Sequence, residues 1–279
     1  MKFSDLKEKA KALIKENYWM AVGIALLPLV IPSLLESLAG SFSGLSGILL
    51  GGDVALETIG KALAITSAAF ALVELVIKPH LQTFVAGYFL SRADGEEPKK
   101  LSSVIDNGMF LKILFAKLLV SLKIMLYEFP AFVLLYAAAI IGTKDGSFPQ
   151  DGAPAELSTP VLVLLCLGLI AVVVAFVLII MYSYSVAMIP YIFNDQQYDS
   201  AEHVIRRSKT MMKGHRFELF RLELSFILWI LLGIFTGGLL YCFWVDPYYE
   251  QTRALYYRAL PFPELPAEPA KPLKEDELN

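Results

Sequence analysis

Long apolar runs alternate with short polar segments along most of the chain. A transmembrane helix needs about 20 mostly apolar residues, and the sequence contains five candidate runs. They cover residues 18–38, 63–90, a stretch within 109–141, a stretch that begins at Pro160, and 222–244. The fourth run is the clearest, because its first 20 or so residues after Pro160 carry no charge. The pattern predicts an all-α fold, a polytopic membrane helix bundle of five or six transmembrane helices.

The last apolar run leaves the number of spans open. Residues 222–244 can form one helix, or the chain can turn at the Thr-Gly-Gly sequence of residues 236–238 and continue in a sixth helix over 239–260. That sixth helix would carry Asp246 and Arg253. Because a charge at mid-bilayer costs a few kcal/mol, it could exist only packed against other helices. Asp246, which precedes a proline, is otherwise typical of a helix cap.

Two polar segments have the pattern of amphipathic interfacial helices. Residues 2–17 place apolar side chains such as Leu6 and Ile14 at helical spacing, opposite a face rich in lysine. Residues 195–215 repeat the pattern with Val204 and Ile205. Apolar stripes beside basic faces favour helices that lie on a membrane surface, which makes anionic lipid at the cytoplasmic face an expected partner. The alternative for both segments is a basic flank that serves only to orient the protein.

The chain therefore divides into three parts by pattern. Residues 1–17 form an N-terminal basic amphipathic helix, and residues 18–260 form the transmembrane helical domain. Residues 261–279 contain five prolines among Glu, Lys and Ala, a composition that predicts a disordered tail.

Lysine and arginine are concentrated in alternate connecting segments. Residues 2–15, 91–108 and 194–221 contain fourteen of them, whereas residues 39–62 and 142–159 contain two. Because basic residues are retained on the cytoplasmic side, this asymmetry predicts a multi-pass protein with a cytoplasmic N-terminus. Cleavage of the first run as a signal peptide is disfavoured, since its charged and apolar parts are both longer than such peptides have.

Composition excludes several classes of protein. Hydrophobic residues make up 56% of the chain and charged residues 18%, against about 45–50% and about 25% in soluble domains. The mean hydropathy is +0.58 and the net charge only −3. A chain without a basic field is a poor partner for nucleic acid. Its two cysteines, Cys166 and Cys242, form neither a disulfide framework nor a metal cluster.

Ionisable residues inside apolar runs are the candidate functional groups, because burying a charge in lipid is costly. The second run contains Glu74, Lys78 and His80 around a proline, and the first two are spaced for an ion pair on one helix face. The pair could line a cavity for a polar substrate or relay a proton, or it could be structural, with Lys78 reaching the interface. Glu128 in the third run predicts a cavity-facing carboxylate or an internal partner for Lys78 or Arg221.

Other charged residues are candidates for an interface with lipid or a partner. Arg206 and Arg207 lie in the basic segment before the last run, and Arg221 and Glu223 lie at its start. The sequence contains no Walker-type, HExxH, CxxC or GxSxG motif, and its three histidines lack ligand spacing. We therefore expect no catalytic residues, no metal site, no cofactor and no enzymatic activity.

A series of short motifs follows in order along most of residues 10–260. The motifs are Asn17-Tyr18-Trp19, Gly87 to Arg92 with Phe110, Tyr182-Ser183-Tyr184, Pro190-Tyr191, Asp195, Ser208, Met212-Lys213-Gly214, Leu219-Phe220-Arg221-Leu222, Leu224 to Trp229, Thr236-Gly237-Gly238, Pro247-Tyr248 and Tyr256-Tyr257. Their order resembles the bacterial domain-of-unknown-function 975 family of integral membrane proteins. The resemblance implies a five- or six-helix protein of the bacterial plasma membrane without assigned catalytic residues. The chain is also distantly similar to the membrane portions of some glycerophosphodiester phosphodiesterases, which favours six helices and a cytoplasmic C-terminal segment.

Two functional hypotheses follow. The first is a non-enzymatic, transporter-like or lipid-handling bundle that binds an amphiphile or small solute near Glu74, Lys78 and Glu128. The second is an accessory or regulatory membrane protein that binds a protein partner through basic cytoplasmic loops containing Arg206 and Arg207. The residues alone identify neither a substrate nor that partner.

Overall fold

The predicted all-α fold is confirmed over the residues that the structure describes. The computed structural model describes residues 3–49, 66–68, 70–98, 108–145, 147, 157–195 and 200–262, with the backbone alone for 39–49. No strand occurs among these residues. Two π-turns, Val73–Ile77 and Tyr241–Val245, directly precede α4 and α11. The helices in chain order are α1 (Phe3–Glu16), α2 (Tyr18–Ala25), α3 (Leu27–Leu49), α4 (Lys78–Asp94), α5 (Met109–Lys144), α6 (Thr159–Val186), α7 (Ile189–Asp195), α8 (Ala201–Met211), α9 (Arg216–Leu224), α10 (Ile227–Phe235) and α11 (Asp246–Ala259).

Three helices in the described part of the chain are long and apolar enough to cross a membrane: Thr66–Asp94, Met109–Lys144 and Thr159–Asp195. A fourth candidate is the pair formed by α2 and residues 27–38, which meet at an angle of 41°. Pro28 and Pro32 follow the break closely, and the amide donors they lack account for the bend. The described residues thus provide three to four candidate spans, and five or six are not confirmed.

The last predicted run, 222–244, is not one helix. The helix is interrupted at Ser225, resumes as α10, and reverses direction at residues 236–238, where Gly237 and Gly238 have φ of 65° and 88°. The returning chain is helical from Leu239 through the second π-turn into α11. The turn that the sequence offered as an alternative is therefore present. Asp246 lies within the returning helix and is not its cap, because helical backbone precedes it.

Helices α5 and α6 form a long antiparallel hairpin with a sparsely covered surface. Gly168 lets them approach closely, since a Cβ there would lie 2.6 Å from Leu135 Cδ2. Outward-facing side chains on both helices are large and apolar, and Phe132 and Leu169 are 63% and 64% exposed. We call this pair the outer hairpin.

The remaining helices pack into an aromatic core at one end of the outer hairpin. Helix α4 is buried on nearly every side, in contact with α7 and α11. Large side chains that are almost fully buried include Tyr88, Phe89, Tyr191 and Tyr256. We call this assembly of α1, α2, α4, α7, α8, α9, α11 and the first turns of α5 the inner bundle.

Arg258 ties three helices of the inner bundle together. Its guanidinium donates to both carboxylate oxygens of Asp94, at 2.7 and 2.6 Å, and to Asp195 Oδ1 at 2.6 Å. The two acids lie on α4 and α7, whereas Arg258 lies on α11. Forked guanidinium–carboxylate bonds are directional, so they hold these helices in one register.

The two amphipathic helices pack their apolar faces against protein. Leu6, Ala10 and Ile14 of α1 are buried where α1 packs along α11. Val204 and Ile205 of α8 are buried where it contacts α5, α6 and α7. The amphipathic pattern identified both helices, but it does not distinguish a lipid surface from a protein surface because both accept an apolar stripe. The first part of the predicted loop 39–62 is helical instead, because α3 continues to Leu49, and α5 likewise continues to Lys144 in the predicted loop 142–159. Most of the remaining residues of these two loops and of the tail lie outside the described residues.

Candidate functional site

A cavity of about 930 Å³ lies between the inner bundle and the inner part of α3 and of the outer hairpin. Its wall combines apolar side chains with eight charged ones from six parts of the fold. So many half-buried ionisable groups around one cavity are unusual unless they are paired or functional. The charged residues are the acids Glu36, Glu74, Glu223, Asp246 and Glu250 and the bases Lys78, Lys117 and Arg253.

Charged residues that line this cavity lie directly after each π-turn. The first precedes Lys78-Pro79 and the second precedes Asp246-Pro247. A proline has no amide donor and its ring crowds the carbonyl four residues earlier, and a widened turn relieves that contact. Before Pro247 the carbonyl concerned is that of Phe243, which accepts a hydrogen bond from Tyr18 Oη at 2.6 Å.

Glu74 and Lys78 form an ion pair in the cavity wall. Lys78 Nζ lies 2.6 Å from Glu74 Oε1, and about a third of each side chain is exposed. Lys117 of α5 lines the same wall and is within electrostatic range of both. One carboxylate thus faces two ammonium groups, which leaves a local excess of positive charge.

Two tyrosines hold the carboxylate of Glu223. Tyr184 Oη donates to Glu223 Oε2 and Tyr249 Oη donates to Glu223 Oε1, each at 2.7 Å. The three residues come from α6, α9 and α11. With a phenol on each oxygen, this carboxylate is largely satisfied by the protein itself.

Arg253 is the cation at the deep end of the cavity. Its guanidinium lies against the rings of Tyr191 and Tyr249, with centroid distances of 6.0 and 5.4 Å. Within the described part of the chain, its guanidinium makes one hydrogen bond, a long contact of 3.4 Å from Nη2 to Ala187 O. The buried Nε has no acceptor within the described part of the chain. Arg253 therefore keeps donor capacity that a bound group could use.

Two further acids near Arg253 have raised pKa values. Burial, with a smaller contribution from the charge of Glu250, raises the pKa of Asp246 to about 7. Burial also raises the pKa of Glu250, although the positive charge of Arg253 opposes the shift. Tyr241 Oη lies 3.4 Å from Asp246 Oδ1, and Tyr191 Oη lies 3.3 Å from Glu250 Oε2. Protonation of one or both acids would bring the charge of the cavity close to zero.

The four predicted intramembrane residues separate into two groups. Glu74 and Lys78 line the cavity as a pair. His80 does not: it is buried, stacks on Phe110 with a centroid distance of 4.2 Å, and faces the carbonyl oxygens of Val76 and Phe110. Glu128 is exposed on the surface of α5 and does not line the cavity. The structure thus places Glu74 and Lys78 together at the cavity, whereas His80 and Glu128 lie elsewhere.

The predicted interface residues also differ from one another. Arg206 is exposed on α8. Arg207 lies over the ring of Phe262, and Arg221 lies over the ring of Phe3. Glu223 belongs to the cavity.

Sequence reasoning did not connect the residues at the deep end of the cavity. Asp246, Glu250 and Arg253 are spaced four and then three residues apart, so they share one face of α11. That spacing was the available signal for a polar helix face packed inside the bundle. The tyrosines that surround them gave no comparable signal, because a tyrosine-rich apolar segment is equally typical of a core. Among the described residues, no group of three or more His, Cys, Asp or Glu is placed to hold a metal ion.

Comparison with known proteins identifies the family. Residues 1–262 match the family described as a protein of unknown function, DUF975, and the chain belongs to it. No curated protein and no solved structure matches the chain. The distant likeness to the membrane portions of glycerophosphodiester phosphodiesterases is unsupported by these comparisons.

Proposed function

We propose that this chain is a non-enzymatic, multi-pass protein of the bacterial plasma membrane, with a cytoplasmic N-terminus, that binds an anionic amphiphile in its cavity. One observation carries the proposal. The cavity joins a charged, tyrosine-lined end to an apolar end, and it opens among helices whose other halves are apolar on all sides. Such a combination suits a molecule with a polar head and a hydrocarbon tail.

A cluster of aromatic and basic side chains supports a membrane boundary beside the cavity. Tyr127 and Tyr182 meet edge to face on the outer hairpin, with centroids 5.9 Å apart. Lys123 Nζ lies 5.3 Å from the ring of Tyr127, and Lys209 Nζ lies 5.1 Å from the ring of Tyr182. Tyrosine and lysine are typical of the headgroup level. Under this placement the exposed apolar part of the outer hairpin lies in the hydrocarbon.

The positions of lining residues along α5 and α6 support this boundary. On α6, Ile180 lines the cavity just before Tyr182, and Tyr184 lines it just after. On α5, Ile124 lines the cavity between Lys123 and Tyr127, and Lys117 lines it nearer the inner bundle. An amphiphile would therefore hold its tail beside Ile124 and Ile180 and its head among the charged residues.

The pairing of the charged groups favours an anionic head. Glu223 is occupied by two phenols and Glu74 by Lys78. Arg253 retains unused donors, and Lys117 shares one carboxylate with Lys78. Phosphate and carboxylate are the groups that such donors bind best. The accessory role is less favoured, because one of its two proposed residues, Arg207, already lies over the ring of Phe262, which leaves Arg206 as the exposed one.

The test measures phospholipid that remains with the protein after purification in mild detergent. We expect Arg253→Gln and Lys117→Gln each to reduce anionic phospholipid per protein at least tenfold, because losing one charge-assisted hydrogen bond costs about 1.5–3 kcal/mol. Arg206→Gln is the matched control, since it removes a positive charge outside the cavity. Unchanged thermal unfolding would show that the variants fold. Equal lipid content in wild type and both cavity variants would contradict the proposal, as would equal loss in the control.

A further inference from the structure

The segment from Ile227 to Val245 forms a short helical hairpin, which we call the terminal hairpin. Between Phe226 and Val245 the chain has no charged side chain. As one straight helix this stretch would reach about 30 Å, enough to cross a bilayer. The chain instead reverses at residues 236–238, so α10 is nine residues long. At 1.5 Å per residue it reaches about 14 Å, half the hydrocarbon thickness.

Several backbone groups at the tip of the terminal hairpin are paired within the hairpin. Gly238 N donates to Gly233 O at 2.8 Å and Gly237 N donates to Ile234 O at 3.0 Å, which closes the end of α10. Thr236 Oγ1 donates to Gly233 O at 2.9 Å and accepts from Leu240 N at 3.1 Å, which begins the returning arm. Exposed turns normally leave such groups to water. In hydrocarbon an unpaired backbone group costs several kcal/mol, so this closure is what a turn in lipid requires.

The surface of the terminal hairpin is apolar around its whole circumference. Gly233, packed against Tyr241 of the returning arm, is the one buried residue of α10. Phe235 at the tip is 87% exposed, and Ile234 is 69% exposed. A protein partner would cover one face of such an arm, with polar groups at the rim. Hydrocarbon chains cover it from every side.

The base of the terminal hairpin has the features of a membrane interface. Trp244 lies beside Tyr18, with ring centroids 6.3 Å apart, and Tyr18 begins the first candidate span. The charged residues nearest to the hairpin in sequence are Glu223 and Asp246, at the two ends of the apolar run. Aromatic rings with charges beyond them mark the headgroup level.

We propose that the terminal hairpin enters the leaflet from which it starts, turns near mid-bilayer and returns, with the acyl chains of that leaflet as its partner. Helices α9 and α11 then lie on the same side of the membrane. This inference rests on the membrane embedding in the proposed function. It replaces a fifth and a sixth full span by one re-entrant element.

The experiment uses single cysteines in a background that carries Cys166→Ala and Cys242→Ala. A membrane-impermeant maleimide is applied to intact spheroplasts and, separately, to inside-out vesicles. The tested changes are Lys213→Cys before α9, Ala259→Cys at the end of α11, and Phe235→Cys at the tip. We expect Lys213→Cys and Ala259→Cys to be labelled in the same preparation, and Phe235→Cys at least tenfold less in both.

The possible outcomes distinguish failure of the proposed re-entrant hairpin from failure of the proposed membrane embedding. Labelling of Lys213→Cys and Ala259→Cys in opposite preparations would mean a full span and overturn the inference. Strong labelling of Phe235→Cys would show that water surrounds the tip and would also overturn the inference. Disulfide crosslinking of Phe235→Cys between two copies of the chain would show that a second copy contacts the tip, with the same consequence. Val173→Cys on α6 is the control. Its labelling in both preparations would contradict the membrane embedding itself.

Discussion

The outer hairpin and the inner bundle use similar apolar residues in different ways. In the outer hairpin, α5 and α6 touch along one seam that contains Gly168, and most other side chains are exposed. In the inner bundle, α4 is surrounded by other helices and its side chains are buried on nearly every face. The first region leaves a large apolar surface exposed, whereas the second buries its own apolar side chains.

The same difference extends to the polar groups. Two serine hydroxyls in the outer hairpin bond to their own helix: Ser121 donates to Lys117 O at 2.8 Å, and Ser185 donates to Met181 O at 2.6 Å. In the inner bundle, polar side chains join separate helices: Gln251 donates to Phe89 O at 3.2 Å, and Tyr256 donates to His215 O at 3.1 Å. Bonds between helices fix one arrangement, while lipid accepts many side chains equally. Substitutions should therefore be felt strongly in the inner bundle and weakly in the outer hairpin.

A matched pair of leucine truncations should show the largest effect. Leu219 on α9 is fully buried, whereas Leu169 on α6 is 64% exposed. Leu219→Ala leaves a cavity in a packed core, and we expect a loss of about 3 kcal/mol of stability. At the exposed position 169, leucine and alanine both present an apolar surface to the detergent. Leu169→Ala should therefore lower the stability by less than about 0.5 kcal/mol. Thermal unfolding in detergent measures both, and equal losses would contradict the contrast.

Two helical glycines offer a second matched pair, with a smaller effect. A Cβ at Gly87 would overlap the amide of Asn194, which is fixed by bonds from Nδ2 to Thr83 O at 2.6 Å and Pro190 O at 2.8 Å. A Cβ at Gly168 would meet the end of the Leu135 side chain. We expect Gly87→Ala to destabilise by roughly 2 kcal/mol.

Gly168→Ala should stay within about 1 kcal/mol of wild type, because Leu135 can rotate away and alanine is the better helix former. The order of unfolding midpoints decides this comparison. A larger loss for Gly168→Ala than for Gly87→Ala would mean that the outer hairpin seam is the more rigid of the two.

A pH dependence should arise where the two regions meet. The pKa of Asp246 is about 7, against about 3.9 for an exposed aspartate. Because the folded-state pKa is the higher one, the stabilisation is complete below about pH 4 and is lost as the pH rises through about 7. Between roughly pH 6 and 8 we expect a loss of about 1 kcal/mol.

Asp246→Asn should reduce the slope of stability against pH. Part of the slope should remain in this variant, because burial also raises the pKa of Glu250. Glu8→Gln on the exposed face of α1 is the control, since it removes a carboxylate outside the cavity. The measurement is the unfolding midpoint across the pH range. An unchanged slope in Asp246→Asn would show that this carboxyl does not titrate there.

Residues 161–181 illustrate what can be predicted without a structure. Their uniform apolarity predicts a spanning helix, and α6 contains them in an uninterrupted helix. The 222–244 run is nearly as apolar, yet it forms a hairpin. The difference lies in local bonds at Thr236, Gly237 and Gly238, which composition averages over. Two glycines with positive φ are compatible with either a loop or a tight turn, so the pattern left both open.

The candidate site was predictable only in part. Glu74 and Lys78 were identifiable because a four-residue spacing places them on one face. Glu128 had an equally suggestive position in its run but projects from the exposed surface of α5. Arg253 and Glu223 lie 30 positions apart in sequence and meet the same tyrosine, Tyr249, only because α9 and α11 pack together. Contacts between distant segments leave no periodic trace in a single sequence.

The sequence by itself determined the helical class, the apolar segments and the amphipathic faces of α1 and α8, because all three follow from helical periodicity within one segment. Tertiary structure alone decided that those faces pack on protein, that the chain reverses direction after α10, and that charged residues from six parts of the fold line one cavity. Each of these outcomes depends on which apolar surfaces pack together. The hydrophobic effect does not distinguish one apolar surface from another, so shape and buried hydrogen bonds determine the arrangement.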